Sequence, residues 1–252
     1  MFAKEFFSNK KILIYGLGIS GKSCLKYFHK KNKVKIFDDN SQLKNERNKE
    51  LFLNEKKIYE QDFDFIVLSP GIDIKKCKLK KFLKKNINKI ITELDIFYLT
   101  FPKNTKITIT GTNGKSTTCK MIFNILNSSK LDTRLVGNIG KPPLLEKKVS
   151  NKTIFVIEAS SYQIFYSKYF KADYAAIINL SPDHLERHGN LSKYAKAKLK
   201  LIYDQEKNKH SFIEKNNKII NKNILYKHIK SKINKIIYNN ENLFRRRIKN
   251  IY

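Results

Sequence analysis

This 252-residue chain is poor in acidic residues, cysteines, long apolar runs and, late in the sequence, turn residues. Its cysteines, Cys24, Cys77 and Cys119, are odd in number, far apart and without a C-x-x-C pair, which argues against both a disulfide framework and a cysteine zinc site. No stretch of about 18 uninterrupted apolar residues is present to cross a bilayer. The segment Met1 to Lys11 has neither the apolar core nor the small-residue cleavage site of a signal peptide. These absences point to a cytoplasmic protein. No internal repeat is visible. All nine glycines and all five prolines lie at or before Gly189, so Gln205 to Tyr252, largely Lys, Asn and Ile, carries almost no turn signal.

Asp and Glu number 22 against 52 Lys and Arg, a formal net charge of +30. A basic surface of that size binds phosphate backbones non-specifically at low salt. The excess is spread along the chain among Asn and Ile, however, and no recognised nucleic-acid module accompanies it, so nucleic acid is not the expected partner. Arg245-Arg246-Arg247 is the one dense basic run near the end of the sequence. A hydrophobic content of 41% allows a real core, in one large domain or two of ordinary size.

The sequence is organised around Ile107-Thr108-Ile109-Thr110-Gly111-Thr112-Asn113-Gly114-Lys115-Ser116-Thr117-Thr118. Alternating β-branched residues run into a Gly-rich turn and then a helical pattern: a strand, a phosphate loop and a helix start. Glycines let backbone N–H groups close around a phosphate, and the helix N-terminus adds positive partial charge. Lys115 is placed to reach the terminal phosphates, and the Ser116 hydroxyl to hold Mg²⁺. The common pattern has its first glycine where Ile109 stands, so Gly111 opens a shortened loop.

Upstream, the strand-like run Lys11 to Tyr15 leads into Gly16-Leu17-Gly18-Ile19-Ser20-Gly21, a helical stretch from Lys22 to about Lys31, and a second strand, Val34 to Phe37, ending at Asp38-Asp39. A G-x-G-x-x-G turn between two strands, with an acidic residue about 20 positions on, fits a diphosphate on a helix N-terminus and a carboxylate on a sugar or base. A nucleotide sugar, NAD and an empty structural turn all remain compatible with it. Asp64 to Leu68 reads as a third strand ending in Ser69-Pro70-Gly71. Lys75 to Lys89 reads as a solvated helix with Leu79, Phe82 and Leu83 on one stripe. Ile90 to Phe101 closes the first domain.

Past the phosphate loop, Met121, Ile122, Ile125 and Leu126 recur at helical spacing, predicting one face packed on a sheet. Ile154 to Ile157 is a buried-strand run that delivers Glu158-Ala159-Ser160-Ser161-Tyr162-Gln163 to its end. Tyr174 to Ile178 delivers Asn179-Leu180-Ser181-Pro182-Asp183-His184. Glu158 and His184 beside a phosphate loop suggest a metal-phosphate centre, although taken alone Glu158 reads better as a solvated strand end and His184 as a hydrogen-bonded loop histidine. Leu191 to about Asp204 is a helix with Tyr194, Lys198 and Leu201 near one face. Spacing alone does not single out Lys198 among Lys193, Lys196 and Lys200, for which a solvated side chain is the default.

Taken together, Gly16 to Gly21 with Asp38, Ser69-Pro70-Gly71-Ile72, Gly111 to Thr117, Gly137-Asn138-Ile139-Gly140, Glu158 to Gln163, Asn179 to His184, and Tyr194 to Leu199 resemble the Mur ligase family, in its order and spacing. The phosphate loop marks the wider family, folylpolyglutamate synthases included. The N-terminal glycine fingerprint with Ser-Pro-Gly favours the branch that adds D-glutamate. The resemblance implies an α/β chain of two domains: a Rossmann-like N-terminal domain over 1–101, a linker over 102–106, and over 107–252 an incomplete P-loop ATPase-type domain, the Mur ligase central domain, in which 205–252 carries no firm assignment. It implies ATP-dependent joining of D-glutamate to UDP-N-acetylmuramoyl-L-alanine through an acyl phosphate, in peptidoglycan precursor synthesis.

The same resemblance places ATP on Gly111, Thr112, Asn113, Gly114, Lys115, Ser116 and Thr117, with Lys115, Glu158, His184 and Lys198 as the catalytic set. Mg²⁺ is implied at Ser116 and Glu158, and a second metal at His184 and Lys198, the lysine after CO₂ has converted its amine into a carbamate. The nucleotide sugar is implied against Ile19, Ser20 and Asp38, with Ser69, Gly71, Asn138, Ser160 and Gln163 nearer the muramoyl-alanine end. Two departures stand out: Asp39-Asn40 replaces a common Thr-Arg pair near the uracil, and no counterpart of the family's C-terminal domain follows. Such a chain is expected to bind its ligands and turn over poorly. The alternatives are a folylpolyglutamate-synthase-like ligase and a non-catalytic remnant that holds nucleotide, nucleotide sugar or nucleic acid.

Overall fold

The structure, a computed structural model, describes residues 3–43 and 48–236. The basic triplet Arg245 to Arg247 lies outside the described residues. The first unit runs α1 (Ala3–Phe6), β1 (Lys11–Tyr15), α2 (Ile19–Phe28), β2 (Lys33–Phe37), α3 (Glu55–Tyr59), β3 (Phe65–Leu68), α4 (Lys80–Lys85), β4 (Ile90–Ile91) and α5 (Glu93–Thr100). Its four strands are all parallel, in the order β2-β1-β3-β4. Successive side chains of a strand point to opposite faces. Ile12 and Ile14 of β1 therefore pack with Phe7, Cys24 and Phe28, while Leu13 and Tyr15 pack with Ile58, Phe63 and Leu83. With both faces covered, the strand reads as a continuous apolar run.

The second unit runs β5 (Thr105–Thr110), α6 (Lys115–Ser128), β6 (Thr133–Gly137), β7 (Ile154–Glu158), α7 (Ser161–Tyr166), β8 (Tyr174–Ile177), α8 (Leu185–His188), α9 (Leu191–Tyr203), β9 (His210–Glu214), α10 (Lys218–Asn223) and β10 (Lys232–Ile236). These six strands are parallel in the order β10-β9-β8-β5-β7-β6. The chain leaves β5 towards β6 on one side and returns past it to β8 on the other. The carboxyl end of β5 is thus the point where strand order reverses, the usual crevice for a ligand in such sheets.

The two units share α5. Ile96 packs into the core of the first sheet, while Leu94 and Phe97 join the core of the second, where the Phe97 and Phe155 rings meet edge to face at 4.8 Å. Between them Asp95 is fully buried. Its Oδ2 accepts from the Thr92 amide at 2.8 Å, capping α5, and its Oδ1 accepts from the amides of Lys168, Tyr169 and Phe170 at 2.7, 2.7 and 3.1 Å. One carboxylate therefore ties the start of α5 to the loop between α7 and β8.

Several elements differ from the sequence reading. The 75–89 stretch is helical only over α4, followed by a 3-10 turn at Ile87–Lys89. Leu79, Phe82 and Leu83 are nevertheless buried, so the apolar stripe marks core contact rather than a long helix. The helix expected from Lys22 begins three residues earlier, at Ile19, directly on the glycine turn. The 102–106 connection is shorter than expected, because Thr105 and Lys106 already pair in β5 with Ile154 and Phe155. Lys106 is 1% exposed, and its amine donates to the carbonyls of Phe101 and Asn104 at 2.6 and 2.7 Å. Burial pulls that amine down to about 8. On α6 the apolar face is narrower than the spacing suggested: Ile122 and Leu126 turn inward, while Met121 and Ile125 are 59% and 62% exposed. Residues 205–236, which carried no firm assignment, form the outer strands β9 and β10 with α10 between them.

Candidate phosphate-loop site

At the carboxyl end of β5 the chain turns through Gly111 to Gly114 and enters α6 with no side-chain cap at its start. The first-turn N–H groups of α6 thus lack a side-chain acceptor, the condition for an anion site. The loop is shaped from outside. Asn179, at the end of β8, accepts on Oδ1 from the amides of Thr112 and Asn113 at 3.0 and 2.9 Å and donates from Nδ2 to the Asn113 carbonyl at 2.9 Å. The Thr112 hydroxyl lies 3.1 Å from the Tyr194 hydroxyl and accepts from the Ser181 amide at 3.0 Å. The Lys115 amine folds back to the Thr112 carbonyl at 2.8 Å.

Glu158 ends β7 beside the loop and is 2% exposed. Its Oε2 accepts from the Ser116 hydroxyl at 2.7 Å and its Oε1 from the Asn138 amide at 3.1 Å. Gly137, at the end of β6, has a φ of +105° and a Cβ there would lie 2.3 Å from the Glu158 carbonyl oxygen, so only glycine lets this turn approach. A serine hydroxyl and a carboxylate held within one hydrogen bond form a hard-oxygen pair that fits Mg²⁺ shared with a phosphate. Among the described residues no group of three or more His, Cys, Asp and Glu gathers into a metal cluster.

Lys198, on α9, is 2% exposed and lies under the loop, its amine donating to the Gly111 carbonyl at 2.8 Å and the Thr110 hydroxyl at 3.2 Å. Burial, reinforced by the nearby Lys115 charge, pulls its pKa down to about 7. His184 starts α8 in a left-handed conformation and points outward, its Nε2 3.3 Å from the Asp183 carboxylate. Its ring stands 6.3 Å from that of Tyr194, and the Lys198 amine lies 4.9 Å from the centre of the same Tyr194 ring. The two implied ligands of a second metal therefore both border Tyr194. His188, one turn on, hydrogen-bonds Ser161 at 2.9 Å, and burial with the surrounding cations holds it down at about 4.

The first glycine loop is more closed. Ser69 donates to the Gly16 carbonyl at 2.6 Å, and a Cβ on Gly21 would sit 1.9 Å from that same oxygen. Asp38 accepts from the Leu17 amide at 2.6 Å and the Asn40 amide at 2.8 Å, so its carboxylate braces the loop. Ile19 is 77% exposed at the start of α2, where Gly18 offers no side-chain cap. Ser20 is half-buried beside it, and Gly71 is exposed past Ser69. Ser160 and Gln163 are engaged with each other as the capping box of α7. The structure thus gathers Gly111 to Thr117, Glu158, Asn138 and Lys198 around one loop, and Ile19, Ser20, Asp38 and Ser69 around the other. Asn179 and Tyr194, the residues that hold the phosphate loop, lie in motifs visible in the sequence that by themselves give neither residue a role. Only their position after a strand end and on the buried face of α9 pointed to them.

Residues 109–252 match the family described as Mur ligase middle domain, and residues 10–91 match Mur ligase MurD-like, N-terminal domain. UDP-N-acetylmuramoylalanine--D-glutamate ligase of Rickettsia prowazekii (strain Madrid E) is 38% identical over 219 residues, 84% of this chain and 48% of that protein. The enzyme of the same name from Caldicellulosiruptor bescii is 36% identical over 77% of this chain and 44% of its own. The chain thus spans about half the length of the curated relatives it matches. In fold it is similar to the crystal structure of UDP-N-acetylmuramate:L-alanyl-gamma-D-glutamyl-meso-diaminopimelate ligase (MPL) from Neisseria meningitides, with a TM-score of 0.54, 16% identity, and coverage of 90% of this chain and 78% of that one. No helix among the described residues is long and apolar enough to cross a membrane. With a family match over more than half its length, the chain belongs to the Mur ligase family.

Proposed function

We infer that this chain carries the nucleotide-sugar and ATP half-sites of a ligase that joins D-glutamate to UDP-N-acetylmuramoyl-L-alanine. The observation that carries this reading is the pairing of Ser116 with Glu158 at 2.7 Å at the mouth of an uncapped, Gly-rich helix start, with Lys115 on the loop and Lys198 beneath it. The two curated relatives at 38% and 36% identity, both named as D-glutamate ligases, support the choice of substrates.

In this reading the triphosphate lies on the amides of Gly111 to Thr117, and Lys115 turns from the Thr112 carbonyl to the transferring phosphoryl group, where its charge stabilises the transition state. Ser116 and Glu158 would hold Mg²⁺, which supplies charge neutralisation to the phosphates when bound. The substrate carboxylate attacks the γ-phosphorus and ADP leaves. The D-glutamate amine then attacks the acyl carbon, forming the amide and releasing phosphate and a proton. The nucleotide sugar reaches this point from the first loop, past Ser69 and Gly71 to Asn138, Ser160 and Gln163. A lysine amine lowered to about 7 is substantially neutral at physiological pH, the form that reacts with CO₂, so Lys198 fits the carbamate role beside His184.

The test is phosphate release from ATP by the purified chain with UDP-N-acetylmuramoyl-L-alanine, with and without D-glutamate, in Mg²⁺ and bicarbonate. Saturable binding of Mg-ATP and of the UDP sugar is expected, with little D-glutamate-dependent release. A chain that binds neither ligand would overturn the reading.

A further inference from the structure

A cavity of about 370 Å³ lies between the loop after β3 and helices α7, α8 and α9 and includes none of the residues assigned above to catalysis, ATP or the nucleotide sugar. Its charged walls are Lys75 from the loop after β3, Arg187 from α8, and Lys193 and Lys196 from α9. No carboxylate among the described residues lines it. None of these four side chains forms an ion pair with a carboxylate among the described residues. The acids nearest in sequence stay outside the lining, Asp73 accepting from the Lys75 backbone amide and Glu186 facing His184, although both act electrostatically on the Tyr162 wall.

The other surfaces of the cavity are aromatic, supplied by Tyr162, Phe165 and Tyr166 of α7 and His188 of α8. Arg187 is fixed in place: its guanidinium lies 3.8 Å over the Tyr162 ring and donates to the Ile72 carbonyl at 2.6 Å, while the Lys75 amine donates to the Arg187 carbonyl at 3.1 Å. A charge already held in one geometry loses less freedom when a ligand arrives. Phe165 is 48% exposed, an apolar ring left facing the opening.

Four positive groups around one aromatic hollow repel each other unless an anion sits among them. The other described cavities are chemically different. One beside Asp38, Asp39 and Glu55 is acidic, one beside Asp173 and Glu206 already holds its own counter-charges, and one on the second sheet is apolar. The volume falls in the range of small-molecule sites, roughly 300–1,000 Å³, and exceeds the needs of a bare oxyanion.

We propose that this cavity binds a small organic anion with at least two negative charges on a planar body. Its head group sits between Lys193 and Lys196, three residues apart on one face of α9, and its planar part lies along Tyr162 and Phe165. Phosphate and carboxylate heads share this chemistry, and the experiment separates them.

Phenyl phosphate and phthalate are each titrated calorimetrically into the full chain at low salt, with Mg-ADP present to occupy the phosphate loop, and inorganic phosphate serves as the comparison. Saturable one-site binding of an aromatic anion, about tenfold or more tighter than inorganic phosphate, is expected. Binding of phenyl phosphate alone assigns a phosphate head, and binding of phthalate alone a carboxylate head. The Lys193→Ala/Lys196→Ala variant should weaken binding about tenfold or more. Both side chains are exposed, so the fold is retained, as a thermal melt would verify. Lys80→Ala/Lys84→Ala, which removes the same charge from exposed positions on α4, should leave it unchanged. The proposal is overturned if neither aromatic anion binds saturably, if inorganic phosphate binds equally well, or if the two double variants weaken binding alike. Because the readout is the Lys193 and Lys196 dependence, a failure of Mg-ADP to bind would count against the ligase reading alone.

Discussion

The two glycine loops of this chain look alike in sequence and differ in what surrounds them. Each follows a buried parallel strand and opens an uncapped helix. Around the first, Asp38 and Ser69 hold the loop through its own backbone, and a Cβ on Gly21 would collide with the Gly16 carbonyl. Neither of these bracing side chains is a cation. Around the second, Asn179 does the bracing, which leaves Lys115, Ser116 and Glu158 available as a cation, a hydroxyl and a carboxylate at one opening. Glycine supplies the space in both cases, and the neighbouring strand ends decide the chemistry. The first loop suits a ligand held by backbone amides, and the second suits phosphoryl transfer.

Substitutions on either loop should therefore separate the two ligands. The largest expected effect is from Lys115→Ala, which should lower Mg-ATP affinity roughly 100-fold by removing the one side-chain cation on the loop. UDP-sugar binding, measured by calorimetry on the same preparation, should stay within about twofold. Gly21→Ala should act in the opposite sense, forcing the first loop off the Gly16 carbonyl at about 1–3 kcal/mol. It should abolish UDP-sugar binding and lower the melting temperature, while Mg-ADP still binds. If both ligands are lost together, the loops are not separable.

Bracing residues should show smaller effects in the same pattern. Asn179→Ala removes three hydrogen bonds from the phosphate loop and should weaken Mg-ATP by about tenfold, with the UDP sugar unaffected. Asp38→Ala removes two from the first loop, on a half-exposed side chain, and should weaken the UDP sugar by about 0.5–1.5 kcal/mol. Equal effects of Asn179→Ala on both ligands would contradict the division.

Much of this was legible in the sequence because strands that end in glycine turns announce themselves locally. The runs before Gly16, Ser69, Gly111 and Glu158 all became parallel strands of the expected sheets. What depends on distant partners was not legible. Asn179 meets Thr112 across 67 positions, and Tyr194 meets it across 82. Lys198 differs from Lys196 and Lys200 only in facing the sheet, which the helical stripe of Tyr194 and Leu201 hinted at and the burial makes plain. The sharing of α5 between two cores was hidden because Ile96 and Phe97 are adjacent in sequence and point into different units. The Lys-rich segment before Ile90 forms a shorter helix than its spacing predicts, since three buried apolar residues at helical spacing need only one turn or two.

The central claim is that one chain holds a nucleotide sugar on the first loop and Mg-nucleotide on the second. The most direct measurement is calorimetric titration of UDP-N-acetylmuramoyl-L-alanine into the chain, first alone and then saturated with Mg-ADP. The account predicts one-to-one binding in both titrations, with the nucleotide still bound. Displacement of one ligand by the other, or no binding of the UDP sugar in either, would contradict it.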